Sequence, residues 1–340
     1  MPHESLLTAP VQAVPVYRAE DFRVSNGANL GDAVSVAEDL DQGDIYHLSD
    51  GADRPLLALQ TDTDGILRIA TDSVLGTPGA PVFADCTLTL MSPDGQTQDA
   101  IVLVELDLES TIANTVILPL SPLAARTDYA LVGIDTETAR TKLAQVACVA
   151  FVRGTHITLA TGAQRRIEDL RPGDRILTRD AGVQPIRWIG QSTVRAQGAF
   201  APILIRKGAL HNENDLLVSP DHRLFIYQRA DTLGTGRSEL LIKARHLVNG
   251  DSIVQTEGGF VDYFQLLFDQ HQIIYAEGIA AESLLIDPRT QAALPDDLQA
   301  DLTEAMRKHA ITEHLDLEVQ ERLLDHPDAA ALLRKASTSG

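Results

Sequence analysis

The apolar residues of this chain come in short runs cut by turn residues, and that pattern constrains the fold more than any other feature of the sequence. Residues 1–145 carry IYHL, LLAL, ILRIA, CTLTLM, AIVLVELDL and TVILPL, punctuated by Asn26-Gly27, Asp50-Gly51, Asp64-Gly65 and Asp94-Gly95. Short apolar runs bounded by such dipeptides read as strands joined by tight turns. They predict an acidic, β-rich N-terminal domain over 1–145, a sandwich or an irregular β-domain. Residues 146–286 repeat the pattern with HITLA, RILTR, IRWIG, APILIR, DLLVS, RLFIY, LLIKA, SIVQ, YFQLLF and QIIYAEG. The whole is mainly β. Helix is expected only over Asp135–Gln145, with Asp135 as N-cap and Glu137 in the first turn, and as short turns such as Ala244–Leu247.

From residue 287 the period changes. Pro295-Asp296-Asp297 opens a helix, Leu298, Leu302 and Met306 recur every four residues, and Leu317–Leu324 and Pro327–Lys335 follow. The third expected segment, 287–340, is therefore a short helical tail ending in a frayed Ser-Thr-Ser-Gly.

Charge divides along the same lines. Residues 1–145 hold 7 Lys+Arg against 22 Asp+Glu, 146–286 hold 15 against 15, and 287–340 hold 6 against 11. An acidic front half argues against nucleic acid, because phosphates would be repelled. No apolar run approaches the ~18 residues that span a bilayer. The start, Met-Pro-His-Glu-Ser, shows no basic region followed by an apolar stretch. That favours the cytoplasm, with export lacking a Sec-type signal as the alternative. Aromatics make up only 4% of residues, so the cores must rest mainly on Val, Ile, Leu and Ala. Cys86 and Cys148 form no disulfide framework and read as small buried hydrophobes. His211, His222, His246 and His271 lack metal-ligand spacing. No metal or cofactor is expected, and the sequence says nothing of oligomeric state.

Three blocks carry chemistry. The first is Ala150-Phe-Val-Arg-Gly154-Thr155-His-Ile157, followed by Thr161-Gly162 and Ile167-Glu168-Asp169-Leu170-Arg-Pro172-Gly173-Asp174. The second is Val218-Ser219-Pro220-Asp221-His222-Arg223. The third runs from Asp262 through Asp269, His271, Glu277-Gly278 and Glu282-Ser283. In order and spacing, over residues 146–286, these resemble the Hint module shared by hedgehog proteins and inteins. The likeness is to bacterial Hint proteins with Gly-Thr, Trp-Ile-Gly and Ser-Pro-x-His-Arg patterns rather than to true inteins. It implies a compact, horseshoe-like all-β module with its two ends close together.

The resemblance also implies a self-processing reaction. A Cys or Ser five residues before the Thr attacks the preceding carbonyl, here that of Val149, in an N-to-S or N-to-O acyl shift. Amides resist this because resonance holds them planar. The site must therefore stabilise an oxyanion and protonate the departing nitrogen. His222 matches the general acid, and Ser219, in the family's Thr place, would hold the scissile peptide. Glu282 matches the acidic residue that activates a second nucleophile, with Asp269 and His271 as alternates. Each has a plainer reading: a strand histidine on a backbone carbonyl, a turn serine, solvated turn residues and an ordinary charge. Trp188 reads as core.

Two departures shape the expectation. The nucleophile position falls on Ala150, which has no heteroatom, and Cys148 lies two residues too early. Ser283 stands where inteins carry a terminal Asn, which removes splicing and leaves N-terminal cleavage or acyl transfer. The expected activity is single-turnover autocatalysis, and only with Cys or Ser at 150. Its substrate would be the chain's own N-terminal segment, and its acyl acceptor, water or another nucleophile, is not given. Two explanations of Ala150 stay open: a replaced nucleophile that traps an uncleaved precursor, or a naturally silent module kept as a binding or structural domain.

Overall fold

A computed structural model describes residues 11–62, 66–227, 238–287 and 290–294. The helices expected beyond Pro295 and the Asp64-Gly65 turn lie outside them. The chain divides into two compact units, Met1–Gln145 and Val146–Gly340.

The first unit contains β1 (Gln12–Pro15), β2 (Tyr17–Arg18), β3 (Phe22–Asn26), β4 (Ile45–Leu48) and β5 (Leu56–Thr61). It continues with β6 (Leu67–Ile69), β7 (Val82–Met91), β8 (Thr97–Leu106), β9 (Ile112–Pro119) and β10 (Asp128–Asp135). An antiparallel seven-stranded sheet runs β2-β9-β8-β7-β10-β4-β3, and β1-β5-β6 form a second sheet. From Ala100 to Glu105 every residue of β8 is buried, so this central strand is covered on both faces and loses the apolar–polar alternation of a half-exposed one. The scarce aromatics are concentrated: Phe22 stacks on Tyr46 with ring centroids 5.3 Å apart, and Tyr129 lies 6.1 Å from Phe22. Cys86 is buried in this core, where burial first and the neighbouring Asp85 second push its thiol up to about 12.

Helix α1 (Ala139–Ala147) begins later than its sequence suggested. Asp135 does not cap it directly. Its carboxylate accepts the Glu137 and Thr138 N–H groups at 2.8 and 3.1 Å, forming a turn that precedes the helix.

The second unit opens with β11 (Phe151–Val152), β12 (His156–Thr158), β13 (Gln164–Arg166), β14 (Arg175–Leu177), β15 (Val183–Pro185), β16 (Trp188–Arg195) and β17 (Ile203–Ile205). Then come β18 (Leu216–Val218), β19 (Arg223–Tyr227), β20 (Glu239–Lys243), β21 (Ile253–Gln255), β22 (Phe260–Leu267), β23 (Ile273–Ala276) and β24 (Ile279–Glu282). They build two six-stranded antiparallel sheets, β16-β22-β11-β18-β17-β21 and β13-β12-β23-β24-β19-β20, and the hairpin β14-β15. One core, rich in Ile and Leu, takes residues from both large sheets, among them Phe151, Val218, Leu224 and Ala281. Ala244–Leu247 is the short helical turn the sequence suggested. Trp188 is only partly buried. It packs against the cluster of Cys148, Leu267, Leu284, Ile286 and Leu294, and a Cβ at Gly190 would lie 2.3 Å from its ring. The glycine of the Trp-Ile-Gly block thus makes room for the indole. Among the described residues no helix is long and apolar enough to cross a membrane.

Candidate functional site

Strand register builds the site. β11 lies between β22 and β18, with Phe151 opposite Phe264 and Val218. One step outward, Ala150 therefore faces Ser219, where the chain leaves β18. The Ala150 N–H donates to Ser219 Oγ at 3.0 Å, and the Ser219 N–H donates to the Ala150 carbonyl at 2.9 Å. Ser219 Oγ also lies 3.4 Å from the Cys148 carbonyl. Three backbone positions around the Val149–Ala150 bond are thus held by one hydroxyl residue.

Ser219-Pro220-Asp221-His222 is a tight turn, closed by the His222 N–H on the Ser219 carbonyl at 3.0 Å. An ion pair between Asp221 and Arg245 and the Arg245 N–H on the Pro220 carbonyl at 2.9 Å brace it. The turn brings the His222 ring back over residue 150. Nδ1 lies 3.1 Å from the Ala150 carbonyl oxygen, and Nε2 lies 3.1 Å from the Glu282 carbonyl oxygen. The Phe151 ring covers it at 4.4 Å between centroids. His222 is 0% exposed. Burial pushes its pKa below the ordinary histidine value, against the raising effect of Glu282.

The imidazole engages residue 150 through that residue's carbonyl, while Ser219 Oγ accepts its N–H. Among the described residues no hydrogen bond is made to the Val149 carbonyl. Ala150 itself is 3% exposed, its methyl packed with Ala196, Val261 and Tyr263.

The other candidates separate into two groups. Glu282 meets His222 through its backbone carbonyl, and His271 joins through the Glu282 carboxylate. Leu224 pairs with Ala281 on β24, which sets Arg223 opposite Glu282. Glu282 Oε1 accepts the Arg223 N–H at 3.0 Å and its Nε–H at 2.8 Å, and Oε2 lies 3.3 Å from His271 Nε2. Burial works to raise the Glu282 carboxyl, but Arg223 and then His271 more than reverse it, holding it at about 2. Asp269 stays apart, exposed and paired with Arg187. Arg223, which holds the Glu282 carboxylate, stands in the second sequence block but was given no role there. Its signal was its place directly after His222, but its partner became visible only once β24 was known to lie beside β19. Among the described residues no three His, Cys, Asp or Glu side chains group so as to hold a metal ion.

Residues 149–288 match the family model described as the Hint domain. This stretch of the chain is a Hint domain. Among solved structures the chain is similar to an Ssp DnaB mini-intein variant (13% identity, covering 41% of this chain and 97% of that one, TM-score 0.28). It is also similar to the gp41-1 intein (12% identity, 39% and 97% coverage, TM-score 0.25). No curated protein matches it. The Ala150–Ser219–His222 arrangement lies inside the Hint domain, at its N-terminal edge.

Proposed function

We propose that the Hint domain is an autoprocessing module directed at the 149/150 peptide bond, and that this chain, with Ala150 in the nucleophile position, is its uncleaved precursor. The observation that carries the reading is the paired grip on residue 150, its N–H on Ser219 Oγ and its carbonyl facing His222 Nδ1. With Cys or Ser at 150, the side-chain heteroatom would attack the Val149 carbonyl carbon. A thioester or ester bond forms, the Val149–Ala150 C–N bond breaks, and the released amine takes a proton. That proton comes from the attacking thiol or hydroxyl: the His222 Nδ1 lone pair takes it up and, by shifting from the carbonyl of residue 150 to its nitrogen, passes it to the departing amine. Water or another nucleophile then takes the acyl group of residues 1–149. As written, the chain cannot begin this sequence, because a methyl group has no lone pair.

The test is Ala150→Cys, incubated with dithiothreitol and weighed. A fragment with the mass of residues 1–149 is expected, and adding His222→Ala should slow its appearance by at least about a hundredfold. An intact, folded Ala150→Cys chain overturns the reading. That result would favour a silent Hint domain serving as a binding or structural unit. The apolar packing of the Ala150 methyl supports that second reading, which expects His222→Ala to change stability alone.

A further inference from the structure

Past the Leu224–Ala281 pair the regular β19–β24 ladder stops, and side chains take over its hydrogen bonds. The Arg223 N–H goes to the Glu282 carboxylate rather than to a backbone carbonyl. The Glu282 carbonyl is left to face the imidazole of His222. Strand ends fray unless tied, and this one is tied by an ion pair whose members are 5% and 0% exposed. A buried ion pair gives little net stability, because desolvation offsets the attraction. Its use at this spot points to position rather than to strength.

The position matters because both nitrogens of His222 face carbonyl oxygens, which only accept. A neutral imidazole has one N–H to give. Which carbonyl receives it depends on how firmly each is held. The Ala150 carbonyl is fixed by the Ser219 N–H. The Glu282 carbonyl is fixed through its own side chain, with Arg223 on one oxygen and His271 facing the other. The charged groups facing the ring are the Glu282 carboxylate and the Arg223 guanidinium.

We propose that Arg223 is a positioning residue: by clamping the Glu282 side chain with its N–H and guanidinium, it fixes the Glu282 carbonyl against His222 Nε2 and sets which ring nitrogen carries the proton. Nε2 then holds the hydrogen, and Nδ1 keeps its lone pair toward residue 150. Glu282 becomes a fixed anion inside the domain, with no part in activating an incoming acceptor. The inference deepens the autoprocessing reading and rests on it for the consequence to cleavage. The consequence to the imidazole stands without it.

Histidine side-chain 15N NMR on the full chain reads the ring directly, with the His222 signals assigned by their loss in His222→Gln. The parent should show a single tautomer protonated at Nε2. Arg223→Met alone would strand a buried carboxylate, so the informative variant is Arg223→Met/Glu282→Gln, which removes both charges together. Folded, it should show averaged tautomers. In an Ala150→Cys background it should cleave about tenfold more slowly or worse. Arg223→Lys, which keeps the cation and the N–H, should retain the parent tautomer and cleave within about threefold of it. Unchanged His222 signals in the folded double variant overturn the inference, and so does slowed cleavage with unchanged signals. If Ala150→Cys fails to cleave at all, the autoprocessing reading falls, while the 15N spectra still decide the role of Arg223.

Discussion

Ser219 shows how much one hydroxyl can do at a strand end. It accepts the Ala150 N–H in a buried setting, so Ser219→Ala leaves a donor there without that partner. The expected cost is about 1–3 kcal/mol, read as a lower urea midpoint with an unchanged slope. Gly190 poses the opposite problem, since its missing Cβ is filled by the indole of Trp188. Gly190→Ala should displace that ring and destabilise the protein by about 1–3 kcal/mol. Trp188 is the chain's single tryptophan, so its fluorescence emission should shift in the same variant. At this scale the sequence was informative about chemistry and silent about contact. Ser219 and His222 were visible as a Ser-Pro-Asp-His block, but nothing in the block says that the ring meets the carbonyl of residue 150 rather than its nitrogen. That choice is made by the turn's closure on Ser219 and by the Phe151 ring beside it.

Among the elements, the β23–β24 hairpin carries Glu282, whose carbonyl faces His222. Its turn, Glu277-Gly278, has both residues at positive φ, 49° and 81°, as a two-residue hairpin with native strand twist requires. A glutamate is an unusual occupant of that region. Its carboxylate accounts for it: Oε1 accepts the His156 N–H at 2.7 Å, and Oε2 accepts from Asn214 at 2.9 Å. Glu277→Ala keeps the strained backbone and removes both anchors, with an expected loss of about 2–4 kcal/mol measured by thermal or urea unfolding. This hairpin also marks where the sequence became hard to read. QIIYAEG looked like one strand, and the return strand β24, Ile279–Glu282, went unrecognised because its small apolar residues carry no turn signal of their own beyond Glu277-Gly278. The two-residue strand β11 was equally hidden. Long strands such as β8 and β9 were plain, because their runs are long, apolar and bounded by Asp-Gly or Pro. The tight Hint-domain elements depend on pairing partners far away in sequence, and local pattern does not report those.

For the whole molecule, acid should act in one direction. His222 is buried with a lowered pKa, so the stability it contributes is present above the unfolded histidine value near 6.5 and is lost as pH falls below it. Glu282, held at about 2, contributes stability above the unfolded value of about 4.5, lost as pH falls toward 2. Urea midpoints should therefore decline steadily from pH 7 to pH 3, and His222→Gln should flatten the upper part of that decline. An unchanged midpoint between pH 7 and pH 5 would contradict the buried neutral imidazole. The sheet order carries one more consequence. Both six-stranded sheets draw all their strands from Phe151 onward, and none is borrowed from the first 145 residues. A polypeptide started at position 150 would keep every strand of both sheets, and severing the backbone just upstream would cost it the Cys148 contacts to Ser219 and to the Trp188 cluster.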